Sequence, residues 1–149
     1  MNNHSQPKHK SLSKKIKVLG LGGSGCNTIS RLSALDLDGV ELIAANTDFH
    51  SLSTCRADKV IRLGTHTTNG LGAGGDLSIG KTAAEENFKE LIECIQGSDL
   101  LFLTTGMGGG TGSGAIEIAA RIAASLEILT ISIVTLPFSF EAEKRKSIS

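Results

Sequence analysis

Short apolar runs alternate with longer amphipathic stretches along most of this chain of 149 residues. The first run, Ile16–Leu21 (IKVLGL), leads directly into a glycine turn, as a buried strand of a parallel sheet does. Four later runs repeat this pattern and are also predicted to be buried strands: Glu41–Asn46, Lys59–Leu63, Leu100–Thr104 and Leu129–Leu136. The pattern therefore predicts five strands.

The stretch 77–96 has the period of an amphipathic helix, and it is predicted to be one continuous helix. Its apolar stripe consists of Ala84, Phe88, Leu91, Ile92 and Ile95. Asp76 is placed to cap the first turn, and Gly97 follows the last turn as a helix-ending glycine. Three further helical segments are predicted: residues 113–126, a shorter helix after Asn27 and a single turn after Asp48.

The predicted elements follow a strand-then-helix order that repeats and ends on a strand. This order predicts a doubly wound α/β fold with a mainly parallel sheet and right-handed crossovers. Ligands of such folds bind beyond the carboxyl ends of the strands. We therefore expect the functional residues in the loops that follow the first and fourth strands.

Charge is unevenly distributed along the chain, although the net charge is zero. Residues 1–17 carry five lysines and no acid, whereas 18–143 carry seven basic and fifteen acidic residues, a net charge of −8. An acidic body argues against nucleic-acid binding, which requires a basic face. We expect residues 1–15 to be a flexible basic tail.

The three cysteines, Cys26, Cys55 and Cys94, lie far apart in the sequence and form no CxxC pair. The sequence therefore predicts neither a disulfide framework nor a zinc site. No apolar run reaches the roughly 18–20 residues that span a bilayer, and the first fifteen residues contain no hydrophobic segment of a signal peptide. These features predict a cytoplasmic protein without direct membrane insertion.

Sixteen of the eighteen glycines fall in three clusters: 20–25, 64–80 and 106–114. The first cluster matches GxGxxG between a predicted strand and a predicted helix, and Asp48 stands where an acid binds a ribose. By pattern alone this is a dinucleotide-binding fingerprint. A glycine loop of this kind presents backbone N–H groups and a helix N-terminus to an anion. A glycine turn that only packs tightly is the alternative interpretation.

A second phosphate pattern, GxxxxGK[ST], occurs at Gly75–Thr82. A P-loop must leave a strand directly, whereas the preceding predicted strand ends at Leu63, a dozen residues earlier. We therefore interpret this match as a coincidence that places Lys81 on the first turns of a helix.

The cluster 106–114 (GMGGGTGSG) is the most specific feature, with six glycines in nine residues between a strand and a helix. Ordering such a loop costs much chain entropy, so packing alone does not explain it. Its hydroxyls at Thr111 and Ser113, without a lysine, suit a phosphate chain wrapped by amides, with a metal ion offsetting the charge. Two such loops at one edge favour a nucleoside di- or triphosphate.

These residues resemble the tubulin/FtsZ family of GTPases. The string GGGTGSG is similar to the family's signature loop, and the resemblance continues in order through IKVLGLGGSGCN, VELIAANTD, GLGAG, TGMGGGTGSG and PFSFE. It leaves only the basic tail outside and covers the N-terminal, nucleotide-binding half of the family's fold. The resemblance thus implies that residues 16–149 form a partial nucleotide-binding domain, a truncated GTPase domain with a Rossmann-like fold.

The resemblance also implies nucleotide-binding residues, which we group into four loops. In the first loop (20–27) they are Gly22, Gly23, Ser24, Gly25, Cys26 and Asn27. In the signature loop (106–114) they are Gly108, Gly109, Gly110, Thr111, Gly112 and Ser113. The second loop (46–48) supplies Asn46 and Asp48, near the ribose and the metal, and the third loop (70–75) supplies Ala73 and Gly74, near the γ-phosphate.

Three of the matching positions also have a purely structural interpretation. Glu141 and Arg145 match a ribose-contacting acid and its neighbouring arginine, and an exposed charged terminus is an equal alternative. Cys26 stands where the family has a small residue, and we interpret it as a small buried side chain rather than a reactive thiol.

The resemblance further implies an activity and partners. The family binds GTP or GDP, with Mg²⁺ at the phosphates, polymerises head to tail and works with other division-ring proteins at the division site. The expected partners are GTP and FtsZ-type subunits, either copies of this chain or full-length ones. The family's guanine-reading helix and catalytic loop match no part of this sequence, so no catalytic residue is predicted and the isolated chain is expected not to hydrolyse GTP. An NAD(P)-binding half-domain and a non-functional remnant remain alternatives.

Overall fold

Residues 14–136 are described by the computed structural model, in which a five-stranded parallel sheet lies between helices on both faces. The strands are β1 (Ile16–Leu21), β2 (Val40–Asn46), β3 (Lys59–Arg62), β4 (Leu100–Gly106) and β5 (Leu129–Thr135). The helices are α1 (Gly22–Ser33), α2 (Phe49–Ser53), α3 (Thr65–Thr68), α4 (Leu77–Glu86), α5 (Phe88–Ile95) and α6 (Gly110–Ser125). In this described part no helix has the length and apolar content needed to cross a membrane. The predicted α/β class is confirmed.

The strands lie in the order β3-β2-β1-β4-β5, and every neighbouring pair is parallel. β1 is the central strand, because Ile16 pairs with Val40 of β2 on one side and with Leu100 of β4 on the other. The chain moves outward from β1 to β3, then crosses back to β4 and continues to β5. The switch point therefore lies between β1 and β4, so the loops that follow these strands are neighbours.

Alternating side chains of the strands face two cores, one on each side of the sheet. Leu19 and Leu21 of β1 belong to the larger core, which α4, α5 and α6 cover. Val18 belongs to the smaller core, where it meets Ile29 of α1 and Leu52 of α2. Both faces of the central strand are thus buried, which explains why its sequence is apolar almost throughout.

The helix predicted over 77–96 is in fact two helices, α4 and α5, which meet at Asn87. Asn87 has φ −108° and ψ 33°, and its side-chain oxygen accepts a hydrogen bond of 2.7 Å from the N–H of Gly64. This contact holds the backbone out of helical geometry. The apolar period continues across the break, so periodicity alone predicts one helix where there are two.

The first helix also begins earlier than predicted. α1 starts at Gly22 rather than after Asn27, because the glycine turn itself forms the first helical turn. Gly25 lies directly against β4, where a Cβ would be 2.6 Å from the carbonyl oxygen of Thr104. Only glycine lets the helix start this close to the sheet.

Among the described residues β3 and β5 form the edges of the sheet, and the prediction that they are buried strands is wrong. In β3 only Ile61 is buried, and in β5 every side chain except the half-buried Thr130 is exposed. Ile131 and Ile133 remain 44% and 53% exposed. Apolar β-branched residues favour extended backbone whether or not a second layer covers them, so their presence predicts the strand but not its burial.

Candidate functional site

The first loop and the signature loop lie side by side at the carboxyl edge of the sheet. Gly22 has φ +76°, and a Cβ on it would lie 2.9 Å from the backbone nitrogen of Gly112. Behind this contact, the hydroxyl of Thr105 donates a hydrogen bond of 2.9 Å to the carbonyl oxygen of Leu21. The two glycine loops therefore share one rim, as their places after β1 and β4 predict.

The second loop joins the signature loop and the third loop. The hydroxyl oxygens of Thr47 and Thr111 are 2.6 Å apart, and both side chains are buried. The carbonyl oxygen of Thr47 accepts a hydrogen bond of 3.2 Å from the N–H of Gly72, and the N–H of Phe49 donates to the carbonyl oxygen of Gly70. All four loops predicted to hold the nucleotide thus meet at one place.

The third loop is held against the signature loop by contacts that only glycine permits. A Cβ on Gly110 would lie 2.6 Å from the backbone nitrogen of Asp76, and a Cβ on Gly80 would collide with the carbonyl oxygen of Gly110. The start of α4 therefore packs backbone to backbone on the start of α6. Ala73 is buried just before this contact, whereas a Cβ on Gly74 would meet no atom within 4 Å.

The helices at this rim differ in how their N-termini are satisfied. Asp48 accepts a hydrogen bond from the N–H of Ser51 at the start of α2, and Asp76 accepts from the N–H groups of Ser78 and Ile79 at the start of α4, which confirms the predicted cap. α1 and α6, the helices of the two glycine loops, have no side-chain cap. Their first N–H groups are therefore available to an anion.

The acidic side chains at the rim act as helix caps. The N–H of Ser51 lowers the pKa of Asp48 below its usual range. The hydroxyl and the N–H of Ser78 lower the pKa of Asp76 in the same way. Both carboxylates are therefore ionised at neutral pH, and Oδ1 of each accepts hydrogen bonds from backbone N–H groups.

Two predicted side chains shape the loops from within. The side-chain oxygen of Asn46 accepts hydrogen bonds of 2.8 and 3.3 Å from the N–H groups of Thr47 and Asp48. The hydroxyl of Ser113 accepts a bond of 3.0 Å from the N–H of Gly108 and closes the signature loop. In the first loop, by contrast, Ser24 and Asn27 are exposed.

Cys26 is a small buried side chain, as predicted from the sequence. Its thiol is 3.7 Å from the carbonyl oxygen of Ala45, and burial together with the neighbouring Cys55 raises its pKa to about 12. Cys26 and Cys55 line a cavity of about 260 Å³ beside the first loop, together with Gly23 and Asn27. At neutral pH a thiol with this pKa is protonated and a poor nucleophile.

The match at Gly75–Thr82 does not form a P-loop. The preceding strand, β3, ends at Arg62, and Lys81 lies within α4. The ammonium group of Lys81 forms an ion pair of 3.1 Å with the Glu117 carboxylate of α6. Its charge is therefore directed to a neighbouring helix.

Sequence reasoning did not single out Thr47 and Thr105, although both tie the site together. Each is a hydroxyl in or directly after an apolar strand, and each is at most 2% exposed. A polar residue in such a run is the signal that could have found them, because a buried hydroxyl needs a partner. Glu141 and Arg145, also predicted for the site, lie outside the described residues.

Comparisons with known proteins agree with one another. The GTPase-domain model of the tubulin/FtsZ family matches residues 15–149. Among curated relatives, the cell division proteins FtsZ of Neisseria meningitidis serogroup A and Coxiella burnetii are 52% and 49% identical over 129 and 135 residues. A solved structure of an empty FtsZ dimer from M. jannaschii superimposes with a TM-score of 0.89 at 41% identity and covers 97% of this chain.

The matched chains are much longer than this one. The alignments cover 87% and 91% of this chain but only 33% and 35% of the two curated relatives, and 43% of the M. jannaschii chain. The chain thus spans about a third of the length of the curated relatives it matches. The matches do not favour either alternative, a dinucleotide-binding half-domain or a remnant.

Proposed function

Because this chain belongs to the tubulin/FtsZ family of GTPases, we propose that its four loops bind GTP or GDP. The observation that carries the proposal is the packing of Gly22 against Gly112, which brings the starts of α1 and α6 together. A polyphosphate across this rim meets the uncapped N–H groups and the positive ends of both helix dipoles. The proposed ligands are Gly22–Asn27, Asn46, Asp48, Ala73, Gly74 and Gly108–Ser113, together with Glu141 and Arg145.

Mg²⁺ is proposed to accompany the nucleotide. Within residues 14–136 no three His, Cys, Asp or Glu side chains are grouped so that they could hold a metal ion. Phosphate oxygens and water would therefore supply most of its ligands, as is usual for Mg²⁺, and Asp48 is the carboxylate of the rim that would complete this oxygen donor set. The ion would balance the negative charge of the phosphates, because the signature loop contains no lysine that could do so.

For these 149 residues we propose nucleotide binding without turnover. A general base needs a pKa near the working pH, whereas hydrogen bonds from N–H groups lower the pKa of both Asp48 and Asp76. Neither carboxylate is therefore suited to activating water. The GTPase activity of the family is proposed for the assembled, longer protein.

We further propose that the protein associates head to tail through this rim, with copies of itself or with full-length FtsZ-type subunits. The protein would then act in the cytoplasm at the division site, together with division-ring proteins. A filament of full-length FtsZ offers this chain one complementary surface. Sedimentation of such filaments with an equal concentration of the chain should therefore recover less polymer, and unchanged recovery would contradict this association.

Nucleotide binding is tested by titrating the ¹⁵N-labelled 149-residue chain with GTP and Mg²⁺ and following the backbone amides by NMR. Saturable shifts are expected at Gly23, Gly25, Gly110 and Gly112. The matched internal control is Gly39, which with Lys17 lines a cavity away from the four loops and should not shift.

Two further ligands separate the possible outcomes. Guanosine without phosphates should bind far more weakly than GTP, because the proposed contacts go to the phosphates. NADH should shift none of the four glycine amides at the concentration where GTP saturates them. Absence of GTP-induced shifts in the loops would contradict the proposed function, and equal shifts with NADH would support the dinucleotide alternative instead.

A further inference from the structure

The hydroxyl pair formed by Thr47 and Thr111 joins two loops that are 64 residues apart in the sequence. The oxygens are 2.6 Å apart, Thr47 is fully buried, and Thr111 is 8% exposed. The backbone of Thr47 is held on both sides: its N–H donates to the side-chain oxygen of Asn46, and its carbonyl oxygen accepts from the N–H of Gly72. The Thr47 hydroxyl is thus presented to Thr111 from a fixed backbone.

The direction of the hydrogen bond follows from what Thr111 must do in the proposed site. A phosphate oxygen without a proton only accepts hydrogen bonds, so Thr111 contributes to phosphate binding as a donor. Its own proton is then committed to the phosphate, and its oxygen is free to accept. Thr47 is the donor that the pair requires in that state.

We propose that Thr47 is a positioning residue for nucleotide binding: its hydroxyl donates to Thr111 and directs the Thr111 proton to the phosphates. This inference rests on the proposed function. The two hydroxyls and the phosphate form a chain of hydrogen bonds in a buried setting, where each bond polarises the next. Thr47 itself does not contact the nucleotide.

The substitution that tests this role is Thr47→Val, which keeps the shape of the side chain and removes its hydroxyl. GTP affinity should fall about threefold to tenfold, the range that corresponds to one hydrogen bond. Thr47→Ser keeps the donor and should restore affinity to within about twofold of the parent chain. Thr111→Val removes the contact with the phosphate and should lower affinity at least as much as Thr47→Val does.

Ser98→Ala is the control for loss of a buried hydroxyl elsewhere in the fold. Ser98 is 9% exposed, and its hydroxyl donates a hydrogen bond of 2.6 Å to the carbonyl oxygen of Ile95 at the end of α5 rather than to any of the four loops. The variants are compared as folded proteins, judged by their amide spectra. A loss of affinity in Ser98→Ala equal to that in Thr47→Val would assign the effect to general loosening and overturn the proposal.

The double variant Thr47→Val/Thr111→Val distinguishes positioning from an independent effect. If Thr47 acts through Thr111, the double variant should bind GTP within about twofold of Thr111→Val alone. Losses that multiply would overturn the positioning role, and so would unchanged affinity in Thr47→Val. If the parent chain shows no GTP binding at all, the proposed function fails and this inference fails with it. If the parent chain binds GTP and Thr47→Val binds it equally well, the proposed function stands and only the positioning role of Thr47 is overturned.

Discussion

Gly22 and Gly23 are adjacent glycines with opposite steric demands. Gly22 has φ +76° and no room for a side chain next to Gly112, whereas a Cβ on Gly23 would meet no atom within 4 Å. Adjacent positions in one glycine loop therefore differ in how strongly the fold requires glycine. This difference is invisible in the string GGSG.

Gly22→Ala should lower the free energy of unfolding by about 1–2 kcal/mol, because alanine is strained at positive φ. It should also weaken GTP binding, because relief of the contact moves the first loop away from Gly112. Gly23→Ala is the control and should leave stability unchanged or raise it by up to about 1 kcal/mol. Urea denaturation of the two variants measures the difference, and equal midpoints would show that the first loop is not held as described.

At this scale the sequence marks the glycine loops of the candidate site by their composition, but it does not single out Thr47 and Thr105. Clustered glycines indicate loops where backbone segments approach closely, and Gly22, Gly25 and Gly110 do lie in such contacts. Thr47 and Thr105 act through partners 64 and 84 residues away. No local pattern contains that information, because it arises only when the strands are placed side by side.

Among the helices, α4 depends on a charged cap whose strength changes with pH. Hydrogen bonds from Ser78 and Ile79 hold the pKa of Asp76 below its ordinary value of 3.8. A carboxylate whose pKa is lower in the folded state than in the unfolded state stabilises the fold at pH values above its unfolded pKa. This stabilisation is lost as the pH falls through the pKa of the folded state. The cap is therefore at full strength at neutral pH.

Asp76→Ala should unfold at a lower urea concentration than the parent chain at pH 7. The difference between their urea midpoints should become smaller as the pH falls below about 4. Asp76→Asn keeps an acceptor oxygen without the charge, so it should retain most of the stability at pH 7. Denaturation curves at pH 7 and pH 3 provide the measurement. A gap between Asp76→Ala and the parent that is the same at both pH values would contradict the role of the ionised cap.

The helices also show where an element-level prediction fails. Periodicity finds the apolar stripe of 77–96 correctly, but the break at Asn87 comes from a bond to Gly64, which periodicity does not contain. Because glycine is a poor helix former, the sequence predicts a later start for α1 than the structure has. In this loop the close contact of Gly25 with β4 matters more than helix propensity.

For the molecule as a whole, the order of strand and helix predicts the parallel sheet, and five apolar runs predict five strands. The sequence does not predict the exposure of the outer strands, because an apolar run has the same appearance on a central strand and on an edge strand. β4 and β5 illustrate this difference. Leu103 of β4 is fully buried in the larger core, whereas Ile131 of β5 is 44% exposed.

Leu103→Ala should lower the free energy of unfolding by about 2–5 kcal/mol, because it removes a core side chain and leaves a cavity. Ile131→Ala is the matched control, and it should have a much smaller effect because the side chain is half in water already. Urea denaturation measures both. Similar losses in the two variants would show that β5 is covered in solution and that the sheet extends beyond the described residues.

The central position of β1 has a consequence for how the protein is made. β1 forms hydrogen bonds with β4, and Ile16 pairs with Leu100, 84 residues later. During synthesis, β1 and β2 leave the ribosome long before β4 does. The backbone groups of β1 that pair with β4 therefore stay without their partners until β4 has emerged. Contacts between such distant residues slow folding. The rim where the first and signature loops meet can therefore form only after residues 106–114 have also left the ribosome, so the proposed nucleotide site is completed late in synthesis.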